Sequence, residues 1–176
     1  MTQAPIFLVG YRGTGKTTVA RLVAQRLARE SLDADYEIER RAGKSIAAMF
    51  ADEGEGPFRE LEAAVIADLA RTRLVVSTGG GAVLREANRA AMLAAGPIVW
   101  LTASVDTIAK RIASDVATAR LRPNLTAAGG RAEIEAVLAA RTPIYEACAT
   151  FVVDTEGKTP AAVADEIVAR LSPAAP

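Results

Sequence analysis

The chain has 176 residues, a length that suits one domain, and 51% of them are apolar, enough for a continuous core. Lysine plus arginine equals aspartate plus glutamate at 21 each, so no global field recruits nucleic acid or an anionic membrane. Histidine is absent, which removes histidine triads and His-ligated metals and leaves carboxylates as the general bases. The single cysteine, Cys148, cannot form an internal disulfide and points to a reducing compartment. The first strand begins within six residues of the start and no apolar run is long enough to cross a bilayer. The expectation is a cytoplasmic protein whose partner is a small molecule.

In chain order, the apolar run Ile6-Phe7-Leu8-Val9 reads as a strand and leads directly into Gly10-Tyr11-Arg12-Gly13-Thr14-Gly15-Lys16-Thr17. Strand, glycine loop and helix in that order form a phosphate-binding P-loop. Bare glycines let successive N–H groups turn inward around an anion at the helix start. Lys16 then reaches the β- and γ-phosphates and Thr17 offers a hydroxyl to Mg²⁺, with Gly13, Thr14, Gly15 and Thr18 as further nucleotide contacts. Further strands are expected near 32–33, 74–77, 98–101 and 151–154, and helices near 17–29, 35–41, 45–52, 57–70, 85–94, 105–113, 131–148 and 160–171. This alternation predicts a parallel sheet wrapped on both faces. The stretch 114–130 breaks the pattern, carries Arg120 and Arg122, and reads as a flap over a site or else as a plain surface loop.

The P-loop identifies a nucleotide but not the phosphoryl acceptor. Asp33-Ala34-Asp35 ends the second strand, and in open α/β sheets that end faces the ligand crevice. Alternation along an extended chain sends Asp33 towards Mg²⁺ and Asp35 towards an acceptor hydroxyl, although acids before a helix also serve as caps. On a helix, Arg59 and Glu62 share a face, so Glu62 can hold the guanidinium while its fork clamps a carboxylate; an ordinary exposed ion pair has the same spacing. Gly79, Gly80 and Gly81 follow a strand and present bare backbone to a substrate, or else form a flexible connector. Arg122-Pro123 in the flap and Arg141-Thr142-Pro143-Ile144-Tyr145 in the next helix bring further arginines to anions. An arginine delivered by a closing segment stabilises the charge of phosphoryl transfer, and Arg122 is the candidate.

Taken together and in this order, these motifs resemble the shikimate kinase family over nearly the whole chain. The resemblance implies a P-loop NTPase-type three-layer α/β/α fold with a five-stranded parallel sheet, nucleoside-monophosphate-kinase-like. It also implies a single domain over 1–176, with a substrate-binding region at about 35–61 and a lid at about 114–130. ATP and Mg²⁺ are the implied co-substrate and metal, shikimate the acceptor, and a monomer the usual state. By resemblance, Lys16 and Thr17 serve ATP and Mg²⁺, and Asp33 the metal. Asp35 serves the acceptor 3-hydroxyl, Arg59, Arg141 and the 80–81 backbone hold shikimate, and Arg122 is the lid arginine. Arg111 and the Thr159-Pro160 turn stand where the family sandwiches adenine.

The chain departs from the family pattern in the lid, where Asn124 replaces a leucine and added residues bring Arg120 close to Arg122. Ala28 and Ser31 stand in place of a glycine and a bulky apolar residue, which predicts lower stability without lost function. Two other readings remain open on sequence. A gluconate or nucleoside monophosphate kinase shares the P-loop and lid but does not need two arginines with a glycine triplet. A non-catalytic nucleotide-binding regulator would be expected to have lost Lys16, Asp35 or the lid arginines, and this chain retains them.

Overall fold

A computed structural model describes residues 4–114 and 130–171. Five strands form one parallel sheet: β1 (Ile6–Val9), β2 (Ser31–Asp33), β3 (Val75–Ser77), β4 (Ile98–Thr102) and β5 (Phe151–Asp154), in the spatial order β2-β3-β1-β4-β5. The helices are α1 (Lys16–Arg26), α2 (Ala34–Ala42), α3 (Ile46–Glu53), α4 (Glu55–Leu69), α5 (Glu86–Ala95), α6 (Val105–Ser114), α7 (Gly130–Cys148) and α8 (Pro160–Leu171). The expected α/β class is therefore the observed one. Among the described residues no helix is long and apolar enough to cross a membrane.

Central strand β1 is buried at every position, because helices cover both faces and its alternate side chains enter two different cores. Phe7 and Val9 join Val76, Ile98 and Trp100 beneath α2, α4, α5 and α7. Ile6 and Leu8 join Val75, Val99, Leu101 and Val153 beneath α1 and α8. A smaller cluster of Tyr11, Ala103, Ile108 and Ile134 closes the carboxyl end of the sheet. Cys148 is 2% exposed at the end of α7, so it packs as a core thiol.

Two local expectations need correction. Strand β2 ends at Asp33, as expected from 32–33, but Asp33 caps α2: its carboxylate accepts from the Asp35 N–H at 3.0 Å. Asp35 thus lies in the first helical turn, and strand alternation is not what separates the two acids. Helix α1 stops at Arg26 instead of residue 29, because Ala28 adopts a left-handed conformation with φ 51°. The Arg29 N–H closes the end on the Ala24 carbonyl at 2.8 Å, and its guanidinium then braces the Arg73 and Ala4 carbonyls at 2.5 Å each. A turn of this kind favours glycine, and alanine there carries a steric cost of about 1 kcal/mol. Replacing Ala28 by glycine is therefore expected to stabilise the fold by about 1 kcal/mol in denaturant unfolding with turnover unchanged; a destabilised Ala28→Gly would refute the strain.

Candidate active site

Three loops leaving β1, β2 and β3 meet at the carboxyl end of the sheet. In the first, Gly10, Gly13 and Gly15 all take positive φ. At Gly10 a Cβ would also sit 2.3 Å from the Leu101 carbonyl oxygen, so only glycine lets the loop pass over β4. The Tyr11 carbonyl accepts from the Thr14 hydroxyl at 2.8 Å and from Lys16 Nζ at 2.9 Å. The lysine is thereby held 8% exposed at the start of α1, where its ammonium faces the loop that an anion would enter.

Thr17 Oγ1 donates to Asp33 Oδ2 at 2.6 Å, and Ser77 Oγ donates to the same oxygen at 2.9 Å. The Thr17 oxygen therefore keeps its lone pairs for a cation. A cleft of about 290 Å³ lined by Thr17, Thr18, Arg21, Ser31, Leu32, Asp33 and Tyr36 makes this pair accessible to a hydrated ion. Among the described residues no three Asp, Glu, Cys or His side chains gather into a metal cluster. This donor set fits Mg²⁺, which keeps several waters and takes few protein ligands besides substrate phosphates. Ser77 was not singled out by sequence, because its role depends on β3 lying beside β2.

The glycine triplet shows why its side chains are missing. A Cβ at Gly79 would lie 2.7 Å from Asp35 Oδ1, at Gly80 3.5 Å from Arg141 Nη1, and at Gly81 2.9 Å from both terminal nitrogens of Arg59. One turn thus touches the expected base and both expected clamp arginines. The triplet accommodates these protein side chains, which the connector reading did not anticipate. Its backbone is fixed in turn by Tyr145, whose hydroxyl donates to the Gly80 carbonyl at 2.6 Å while its ring stacks on Trp100 at 5.5 Å. Burial pushes the Tyr145 phenol up to about 12, so it remains a donor through the physiological range.

Arg59 is presented from α4 by two carboxylates: Nε donates to Glu55 at 2.9 Å and Nη1 to Glu62 at 2.9 Å. Glu62 is 1% exposed, which distinguishes this arrangement from a solvated surface pair. Burial raises the Glu62 pKa, with Arg59 pulling the other way and Asp35 adding to the rise. Burial opposes the charge on Arg59, but Glu62 and Glu55 carry its pKa above the ordinary arginine value. The flanking Phe58 is buried and packs on Phe50 at 4.8 Å, whereas Phe50 itself is exposed.

On the opposite side, Arg111 of α6 donates to Thr155 Oγ1 at 2.8 Å, to the Thr155 carbonyl at 2.9 Å and to the Gly13 carbonyl at 3.4 Å. These contacts fasten it beside the phosphate loop. Pro160 is the exposed first residue of α8, and Thr159 caps that helix through the Ala162 N–H. Arg120, Arg122 and Asn124 lie outside the described residues. Sequence reading also passed over the ion pair between Arg12 of the phosphate loop and Glu133 of α7, at 2.7 Å.

The shikimate kinase profile matches residues 12–172. The chain belongs to the shikimate kinase family. A shikimate kinase from Rhodopirellula baltica is 42% identical, with 97% of this chain and 90% of that one covered. One from Chromohalobacter salexigens is 44% identical over 94% of this chain and 90% of its own length. Among solved structures, the shikimate kinase from Acinetobacter baumannii in complex with shikimate aligns with a TM-score of 0.88 at 36% identity, covering 96% of this chain and 92% of that one. A gluconokinase from Sinorhizobium meliloti shares the fold alone, with a TM-score of 0.58 at 20% identity.

The contact between Gly79 and Asp35 yields a test. Gly79 has no positive φ, so its backbone tolerates alanine, but the added methyl must displace the Asp35 carboxylate. Misplacing a reacting group by about 1 Å costs about a hundredfold in rate. Gly79→Ala is expected to lower kcat by at least tenfold with little change in thermal stability, and unchanged turnover would separate Asp35 from the chemistry.

Proposed function

We propose that this family member transfers the γ-phosphoryl group of ATP to the 3-hydroxyl of shikimate, giving shikimate 3-phosphate and ADP. The observation that carries this reading is the glycine turn, which lies against one carboxylate and two arginines from three separate elements. Arg59 and Arg141 hold the acceptor carboxylate from two sides, and the planar fork of each matches that anion. Asp35 orients the acceptor hydroxyl and takes its proton as the bond to phosphorus forms. Lys16 draws the β- and γ-phosphates, aided by the Gly13–Thr18 backbone and side chains, and Arg122 stabilises the charge spread over the transferred group.

Thr17, with Asp33 acting through water, would hold Mg²⁺, which when bound neutralises charge on the β- and γ-phosphates. Arg111 and Pro160 flank adenine. Residues 35–61 and 114–130 serve as substrate-binding and lid regions of one domain over 1–176, and excluding water there favours transfer over hydrolysis. The protein works as a cytoplasmic monomer on small molecules, without nucleic acid or membrane partners. Its buried lone cysteine and balanced charge are compatible with that setting. Gluconate and nucleoside monophosphates also carry anions that two convergent arginines can hold, so the choice of shikimate over them rests on the family match over residues 12–172, and a purely regulatory binder lacks a reason for Lys16 and Asp35 to be kept.

The deciding experiment measures ADP release from ATP and Mg²⁺ with shikimate, quinate, gluconate or nucleoside monophosphates, identifying the phosphorylated product by mass. Shikimate-dependent release is expected, and release with another acceptor alone would refute the assignment. Arg122→Ala is expected to lower kcat by about 10³-fold while ATP affinity changes little; unchanged turnover removes Arg122 from the mechanism. Arg59→Lys keeps the charge but loses the fork, so the shikimate KM is expected to rise at least tenfold with a smaller effect on the ATP KM. A constant shikimate KM would show the carboxylate clamp to be misassigned.

A further inference from the structure

We propose that Arg12 is a positioning residue for the acceptor, acting through its ion pair with Glu133 to set Arg141 in register with the phosphate loop. The inference deepens the functional reading above and rests on Arg141 being part of the carboxylate clamp. Arg12 Nη2 donates to Glu133 Oε1 at 2.7 Å, with the Glu133 side chain fully excluded from solvent and that of Arg12 16% exposed. Glu133 lies in the first turn of α7, where the positive end of the helix favours a carboxylate. A charge buried this completely is expensive to leave without its partner, so the pair restricts how α7 can sit against the loop.

Arg141 stands eight residues further along the same helix, about 12 Å in rise, and its guanidinium comes 3.5 Å from the point where a Gly80 Cβ would be. The backbone nitrogen of Arg12 approaches that same point to 3.7 Å. One arginine thus passes beside the acceptor turn and reaches back to the helix that carries the clamp. A second attachment, Tyr145 to the Gly80 carbonyl, lies on the other side of Pro143. Proline removes a helical hydrogen bond and weakens continuity there. The bond that Pro143 removes is the one to the Ala139 carbonyl, so the weakened stretch, 139–143, holds Arg141 between two attachments, the Arg12–Glu133 pair on one side and Tyr145 on the other. The electrostatics agree: the Tyr11 phenol, raised chiefly by burial, also feels Arg12, Glu133 and Arg141.

The test compares Arg12→Met, Glu133→Gln, their double variant, Arg12→Lys and Arg141→Lys in the full chain, recording KM for shikimate and for ATP, kcat and thermal unfolding. Arg12→Met and Glu133→Gln are each expected to raise the shikimate KM about tenfold with the ATP KM within about twofold. The double variant should be no worse than the more damaging single, since both remove one interaction. Arg12→Lys should recover part of the loss, because an ammonium also pairs with Glu133. A shikimate KM unmoved in both single variants, a parallel rise in both KM values, or independent effects that multiply would each overturn the proposal. Glu133→Gln keeps the side-chain shape and decides the matter if Arg12→Met does not fold. An Arg141→Lys variant with unchanged shikimate KM removes the clamp reading and this proposal together. A raised KM in Arg141→Lys with silent Arg12 and Glu133 variants removes this proposal alone.

Discussion

The site depends on one carboxylate, Asp33, which joins three elements at once. Oδ2 accepts from the Thr17 hydroxyl at 2.6 Å and the Ser77 hydroxyl at 2.9 Å, while Oδ1 accepts from the Asp35 N–H at 3.0 Å. These bonds fix the start of α1, the end of β3 and the first turn of α2 to a single group. Two of the donors are hydroxyls and one is a helix N–H, so both oxygens of Asp33 are satisfied. The cap also decides where each acid lies. Because Asp33 terminates β2 and opens α2, Asp35 is carried one helical step onwards and faces Gly79.

A second constraint is the cost of holding cations still near the carboxyl end of the sheet. Arg59 is oriented by Glu62, and Arg12 by Glu133, and in both pairs the acid is almost completely buried while the arginine keeps some exposure. Burial of the acid fixes the arginine's direction more firmly than a surface pair can. The α2 helix is secured differently: Glu37 binds Arg40 and Arg41, and Arg41 continues to Asp68 of α4 at 2.7 Å. Hydrogen bonds from Arg40 and Arg41 hold the Glu37 pKa down to about 2, so this acid stays charged wherever the protein is folded near neutral pH. The contribution is present above about pH 4.5 and is lost as pH falls towards 2.

Much of this was legible in the chain. Alternating strands and helices, the glycine loop and the Arg59–Glu62 spacing express local rules, and each appears where periodicity put it. Boundaries failed where tertiary geometry intervened. Residue 28 follows a helical pattern and is alanine, yet the chain has to turn there to start β2, so the helix ends two residues before it. The strand reading of Asp33-Ala34-Asp35 failed because a capping side chain competes with the strand for the same residues. Ser77 and Tyr145 stood inside runs read for their other residues, and Glu133 carried no local signal. Each acts on a partner 44, 65 and 121 positions away in the chain.

What sequence order conceals most is the position of β3. Strands β1 and β2 follow one another in the chain, but β3 is inserted between them in the sheet. The turn that leaves β3 therefore emerges between the phosphate loop and the acid pair, and its three residues face Asp35, Arg141 and Arg59 in succession. A Cβ at Gly79 or Gly81 would crowd Asp35 or Arg59, while at Gly80 it would meet Arg141 at ordinary contact distance, so the glycines let a carboxylate from α2 and arginines from α4 and α7 converge on one short segment. A P-loop alone accounts for the nucleotide end of the reaction. The acceptor end depends on this inserted strand, because it brings Asp35, Arg141 and Arg59 to one turn at the carboxyl end of the sheet.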